Sequence, residues 1–335
     1  MKKNYLSLCL LFLAIISYSC LEEGNKREIR TDTKSSGKAK IVADGTLTPV
    51  VQELVDVFES TYPEAIIIPI YTDYKNAYSL LVADSVGLII GPRELTIEET
   101  QVIKERKQTP RYLKLAVDGI ALIANKANTD TLITTSDIKR IMRGEIRSWK
   151  ELNPESPFDE IAVVFDSPSS STVKYIRDSI CKGLPIDESI RAISNDTEEF
   201  KPSMESPNQR VLDYVASTPN ALGVIGVNWI SNPTDELKWT FINKINVMNV
   251  SIEEKAIKEN SYPPLPYQMA LNLSPEHEGG YPLTREVYMI ITDVRGGLPS
   301  GFYDFAAKDK GQRLIYRAGL LPARAPLRMV RVIPE

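Results

Sequence analysis

The pattern that most limits how this chain folds lies between residues 40 and 90, where apolar strands alternate with amphipathic helices. Lys40-Ile-Val-Ala-Asp44 predicts a strand, and Gly45-Thr-Leu-Thr48 opens a helix over Pro49–Phe58. Val51, Leu54, Val55 and Phe58 recur with helical period. Pro49 suits a first helical turn, where its missing N–H has no intrahelical partner to lose, and Thr46 or Thr48 suits the cap. Ala65–Tyr71 then reads as a buried strand, Thr72–Asn76 as a polar turn, a short helix runs to Val82, and Val86–Ile90 is a third strand. Strand, helix, strand, helix, strand predicts an α/β, doubly wound fold with parallel strands and helices on both faces. Ligands of such sheets lie beyond the carboxyl ends of the strands, which points to loops 44–48 and 72–76.

Further along, Lys114–Asn125 predicts a long apolar strand, Ser136–Arg143 a helix ending at Gly144, and Ile161–Phe165 another strand. Arg210–Ala216 continues as a helix into a strand over Leu222–Gly226; Glu286–Thr292 is a late strand and Phe302–Tyr316 a helix. The strand at 161–165 delivers Asp166-Ser-Pro-Ser-Ser-Ser-Thr172 to a helical pattern over Val173–Ile180. Hydroxyls and unsatisfied N–H groups at a helix start bind oxyanions without a metal. The ordinary reading is a helix cap, although one Ser or Thr suffices for capping.

Charge and rare residues restrict the function. A formal net charge of -4 argues against a general nucleic-acid binder, and it leaves any anion to be captured by local donors. The single histidine, His277, lies in a Pro-Glu-His-Glu-Gly-Gly loop and reads as solvated. One histidine and one cysteine beyond the N-terminal region do not furnish a Ser-His-Asp triad plus a His-rich metal centre, so no cofactor, no metal and no enzymatic activity are expected. A hydrolase using paired carboxylates and a serine nucleophile is the remaining catalytic reading, and it lacks a histidine base.

The N-terminus reads as an export signal. Lys2 and Lys3 precede an apolar run, Leu6–Ile16, too short to span a bilayer. Ser17-Tyr18-Ser19-Cys20 is similar to a bacterial lipobox, which makes residues 1–19 a signal peptide, Cys20 the lipidated residue and 20–39 a flexible tether. An ordinary signal peptide is the other reading.

Several ordered motifs resemble the substrate-binding proteins of phosphate ABC transporters. They are Val117–Asn125 followed by Ile138–Leu152, with its Gly-x-Ile-x-x-Trp-x-x-Leu turn, then Asn220–Gly226, Tyr281-Pro-Leu-Thr-Arg285, and Gly311-Gln312 with Gly319. The resemblance implies a two-lobed, type II periplasmic-binding-protein (venus-flytrap) fold. Residues 40–125 plus 228–335 would form one lobe and 126–227 the other, with the anion in the cleft between them. It also implies a monomer, anchored to the membrane by lipid and facing the periplasm or cell exterior. That protein hands inorganic phosphate or a related oxyanion to an ABC transporter permease.

Carried over position by position, the family's first ligand site matches Gly45-Thr46-Leu47-Thr48, with Leu47 offering its amide. Its second falls near Tyr74-Lys75-Asn76, and its aspartate falls at Gly87. Its last falls on Asp166–Thr172, keeping the hydroxyls of Ser169, Ser170, Ser171 and Thr172 but losing an arginine. A bidentate guanidinium contact to phosphate is about twice as strong as a neutral hydrogen bond, so another cation is needed. Lys75 is the first candidate, with Arg93 and Lys174 behind it. A positive cleft with Lys75 pointing inward favours anion transport. A cleft lined by carboxylates favours the same fold with a different ligand, acting as a sensor or surface-binding lipoprotein.

Overall fold

The computed structural model describes residues 31–195, 206–233 and 239–324. Residues 1–30, which include the expected signal segment and Cys20, lie outside the described residues. Among those described, no helix is long and apolar enough to cross a membrane.

A ten-stranded sheet organises the molecule. Its strands are β1 (Gly37–Asp44), β2 (Ala65–Thr72), β3 (Leu88–Gly91), β4 (Arg111–Asn125), β5 (Ala162–Phe165), β6 (Arg191–Ala192), β7 (Ala221–Gly226), β8 (Ile245–Val247), β9 (Thr284–Ile291) and β10 (Leu321–Pro322). Across the sheet they run β2-β1-β3-β9-β4-β7-β5-β6, with β8 and β10 also pairing with β4. The helices are α1 (Thr48–Thr61), α2 (Tyr74–Val82), α3 (Ile97–Glu105), α4 (Thr135–Met142), α5 (Trp149–Leu152), α6 (Ser171–Tyr175), α7 (Pro207–Ser217), α8 (Pro266–Leu273), α9 (Leu298–Ala307) and α10 (Asp309–Arg317).

The α/β class stands, but the sheet is mixed rather than parallel. β1 pairs in parallel with β2 and β3, and β5 with β6 and β7. Between these two parallel sets, β9 runs antiparallel to β3 and β4, and β7 antiparallel to β4. Local periodicity shows that β9 is a strand, but not that a segment from the far end of the chain inserts beside β3.

β4 joins the two sets. Its first part, Arg111–Gly119, pairs with β9, and its second, Ile120–Ala124, pairs with β7. Alternate residues of this strand face different cores, as the two-residue period of a strand requires. Ala121 and Ile123 join the cluster around α1, α7 and α9, whereas Ile120 and Leu122 pack with Trp149, Met142 and Tyr281. On β1, Ile41 and Ala43 face α1 while Val42 faces Tyr74, Tyr78 and Leu81 of α2. Apolar side chains on both faces explain why β1, β3 and β4 read as continuous apolar runs. The Trp149 indole is fully buried and donates to the Asn220 carbonyl at 3.0 Å, which ties two of the resemblance motifs together.

Three boundaries differ from the sequence reading. Thr72 ends β2 and Asp73 caps α2 by accepting from the Asn76 amide, so Lys75 and Asn76 occupy a helical first turn instead of a loop. The single helix expected over 302–316 is two, because Lys308 is extended and breaks α9 from α10. β1 starts at Gly37, within the segment read as tether, and Lys34 pairs with Asp304 at 2.6 Å. A side chain on Gly301 would meet the Lys34 carbonyl, so this stretch packs tightly on α9.

Thr96 and Glu99 cap α3 reciprocally. Thr96→Ala is expected to lower stability by about 1 kcal/mol, read from the urea midpoint at unchanged slope.

Candidate functional site

The C-terminal ends of β1, β2 and β5 open on one cleft of about 580 Å³, with the start of α7 on its far side. Its lining includes Asp44, Thr46, Thr48, Thr72, Asp166 and Ser170. The carboxyl-end rule therefore locates it, and it draws residues from both parallel sets of strands.

Asp44 ends β1 and its carboxylate accepts the Thr46 amide at 3.0 Å, turning the chain into a short 3₁₀ turn before α1. The Thr46 carbonyl accepts from Asn228 Nδ2 at 3.1 Å and Trp229 Nε1 at 2.8 Å. Thr46 is thus fixed at its amide and its carbonyl, and its hydroxyl is held in place. Thr48 Oγ1 donates to the Gly45 carbonyl at 2.8 Å. On the other wall, Ser170 caps α6, its hydroxyl accepting the Val173 amide at 3.1 Å. Asp166 lies beneath that turn, with Asn208 Nδ2 donating to its Oδ2 at 3.2 Å.

The walls meet. Thr46 Oγ1 and Ser171 Oγ lie 3.0 Å apart, and both are bonded to one guanidinium. That group belongs to Arg285 on β9: Nη1 donates to Ser171 Oγ at 2.6 Å and Nη2 to Thr46 Oγ1 at 3.0 Å. Nε and Nη2 also donate to Asp118 Oδ2, at 3.0 and 2.8 Å. Arg285 and Asp118 face each other across the β9–β4 register, with side chains only 5% and 0% exposed. Gly226 passes so close that an added Cβ would lie 3.2 Å from Asp118 Oδ2, which explains a glycine at the end of β7.

The expected residues divide into groups. Thr46, Thr48, Ser169 and Ser170 line the cleft, and Ser171 reaches it through Thr46 and Arg285. Leu47 and Thr172 are buried but do not line it; Leu47 packs in the core around α1. Lys75 and Asn76 are exposed and outside the lining, because the helical turn at 74–76 carries them away. Asn76 Nδ2 instead donates to Thr72 Oγ1. The other cation candidates are engaged elsewhere, Arg93 in a bidentate pair with Glu99 at 2.7 and 2.8 Å and Lys174 with Asp178. His277 is exposed, as its loop predicted.

Arg285 is the residue that sequence reasoning missed. It stood inside the Tyr-Pro-Leu-Thr-Arg motif, but only tertiary pairing shows that it reaches both hydroxyl walls.

The cleft also carries acid. Asp44, Asp73 and Asp166 line it, and among the described residues no Lys or Arg does. Asp44 Oδ2 is buried without a hydrogen-bond partner among the described residues. Burial pushes the Asp166 carboxyl up to about 6, with the Asp44 charge adding to the rise and hydrogen bonds from Ser170 and Ser167 opposing it. Burial also raises Asp118, against the pull of Arg285.

Comparisons with known proteins agree with this architecture. The phosphate-binding protein PstS of Staphylococcus haemolyticus is 22% identical over 227 residues, spanning 68% of this chain and 67% of its own length. The fold is shared with a putative phosphate ABC transporter substrate-binding protein from Clostridium perfringens, solved with bound phosphate. The match has a TM-score of 0.65 at 18% identity and covers 86% of this chain and all of that one. An ABC-type phosphate transport receptor from Vibrio cholerae matches with a TM-score of 0.59 at 19% identity, over 85% of this chain and all of its own. The family model described as a PBP superfamily domain matches residues 29–310, and the chain, with its mixed α/β sheet and cleft at the strand ends, belongs to that family.

Proposed function

We propose that this protein is an extracytoplasmic solute-binding lipoprotein that captures phosphate or a related oxyanion for an ABC importer. In this reading Cys20 carries the lipid, residues 40–125 plus 228–335 and residues 126–227 are the two lobes, and β4, paired with β9 of the first and β7 of the second, is the strand about which they close. The observation that carries it is the convergence of hydroxyls from the start of α1 and the β5–α6 turn on one buried guanidinium. α1 is long enough for its N-terminal end to favour an anion, and hydroxyls and amides complete the shell. Binding and release are the whole of the activity, with no bond made or broken. The names of the relatives support phosphate as the first ligand to test.

A second reading keeps the fold and changes the ligand, with the protein acting as a sensor or surface-binding lipoprotein. The three carboxylates along the cleft favour it, since they accept hydrogen bonds from a ligand rich in donors and repel a dianion.

Isothermal titration of the mature domain with phosphate, sulfate and molybdate separates the two. Saturable binding of any of them supports the first reading, and failure of all three leaves the second. Lys75→Ala is expected to change phosphate affinity by less than about twofold, because an exposed charge away from the cleft is screened. A tenfold loss, on the order of 1.4 kcal/mol, would restore Lys75 as a ligand.

A further inference from the structure

Arg285 stands where hydroxyls from the two halves of the sheet meet. Thr46 follows β1, and Ser171 follows β5, strands separated across the sheet by β3, β9, β4 and β7. Their hydroxyls nevertheless lie 3.0 Å apart, each bonded to a different Nη atom of the same guanidinium. We propose that Arg285 is a positioning residue, an interlobe latch that holds the Thr46 and Ser171 walls together and fixes both hydroxyls as donors. The role assigned to the two walls rests on the solute-binding reading above.

Stereochemistry supports the role. A guanidinium has five N–H donors and no acceptor. Four of the five N–H bonds are directed at Asp118, Thr46 and Ser171. Arg285 is therefore not placed as a bidentate clamp on a ligand, but as an anchor for the groups that form the walls. Each hydroxyl also accepts an N–H from Arg285, so neither has to accept from solvent, and each keeps one O–H to donate. One of those protons bridges Thr46 and Ser171. The other is left to point outward, and because Thr46 lines the cleft, the shared proton running from Ser171 to Thr46 presents the Thr46 O–H to an acceptor ligand.

Asp118 holds the latch at its base. It sits opposite Arg285 in the β9–β4 register, one residue before Gly119, where the pairing of β4 passes from β9 to β7. The guanidinium is thus anchored where β4 changes partners and extends to one hydroxyl on each side. A lysine in its place has a single nitrogen, unable to span two hydroxyls and a carboxylate in one plane.

The test uses the mature chain with one fluorophore near Thr131 and another near Glu98, so that single-molecule energy transfer reads the spacing between the halves. Ser171→Ala removes one arm of the latch and leaves the Asp118–Arg285 pair in place, so the fold survives. The expected results are a broader, longer-distance population without added ligand and recovery of the short-distance population in Ser171→Thr. Arg285→Lys is expected to behave as Ser171→Ala does, with circular dichroism unchanged. An unaltered distance distribution in both Ser171→Ala and Arg285→Lys overturns the latch, whatever the ligand turns out to be. Titration with inorganic phosphate is read separately. If the wild type binds, Ser171→Ala is expected to bind about tenfold more weakly or worse, the loss typical of a charge-assisted hydrogen bond. If the wild type binds none of phosphate, sulfate and molybdate, the oxyanion reading fails while the distance measurement still decides the latch.

Discussion

Asp118→Ala is expected to destabilise the fold by about 3–5 kcal/mol, measured by urea unfolding at pH 7. The substitution leaves Arg285 almost wholly buried, and a guanidinium does not lose its proton to escape. Thr46 and Ser171 still accept from it, but neither carries the opposite charge. The cost is therefore that of an uncompensated buried cation, far above the loss of a surface pair. The companion experiment is the double replacement Asp118→Leu with Arg285→Met, which removes both charges and fills the same space. Most of the lost stability is expected to return, because desolvation of the pair offsets much of its attraction. A loss under about 1 kcal/mol in Asp118→Ala would show that solvent reaches the pair and that the site is not the dry anchor described above.

The second large effect is a pH dependence centred on Asp166. Its folded carboxyl titrates at about 6 against an ordinary 3.8, so the folded state binds a proton that the unfolded chain has already released. Stability from this group is fully present below about pH 4 and is lost as pH rises to about 6, by the linkage between proton binding and folding. The gap between 3.8 and about 6 corresponds to about 3 kcal/mol. Asp166→Asn removes the titration. The stability of the variant relative to the wild type is therefore expected to climb by about 3 kcal/mol from pH 4 to pH 7 and then stay flat. Chemical denaturation of both proteins at half-unit steps checks it, and a constant difference across that range would mean that Asp166 is solvated in the folded protein. The same variant bears on the ligand. Loss of a carboxylate from the cleft wall is expected to tighten phosphate binding at pH 7.5, and to weaken a ligand that donates hydrogen bonds to Asp166.

Much of the frame was legible along the chain. The apolar runs at β1, β3 and β4 and the helical spacing of Val51, Leu54, Val55 and Phe58 gave the elements, because burial on both faces of those strands leaves an uninterrupted apolar signature. The hydroxyls of Thr46, Thr48, Ser169 and Ser170 were legible for a different reason: helix starts recruit Ser and Thr, and strand ends in this class face the cleft. Lys75 falls outside the lining because its position depends on whether the chain after Thr72 forms a loop or a helical turn. Asp73 decided that by capping the Asn76 amide, a local hydrogen bond that composition alone does not distinguish from a turn.

What the sequence by itself determined is the strands β1–β5, β7 and β9, most of the helices that alternate with them, and the hydroxyl-rich segments at their ends, all products of interactions within a few residues. The tertiary structure alone decided that β9, from late in the chain, enters between β3 and β4, running antiparallel to both. That insertion brings Arg285 opposite Asp118 and within reach of Thr46 and Ser171, separated from it by 239 and 114 residues. A buried charge is stable only where partners converge on it from several strands, and such convergence is a property of the packed sheet, not of any stretch of chain.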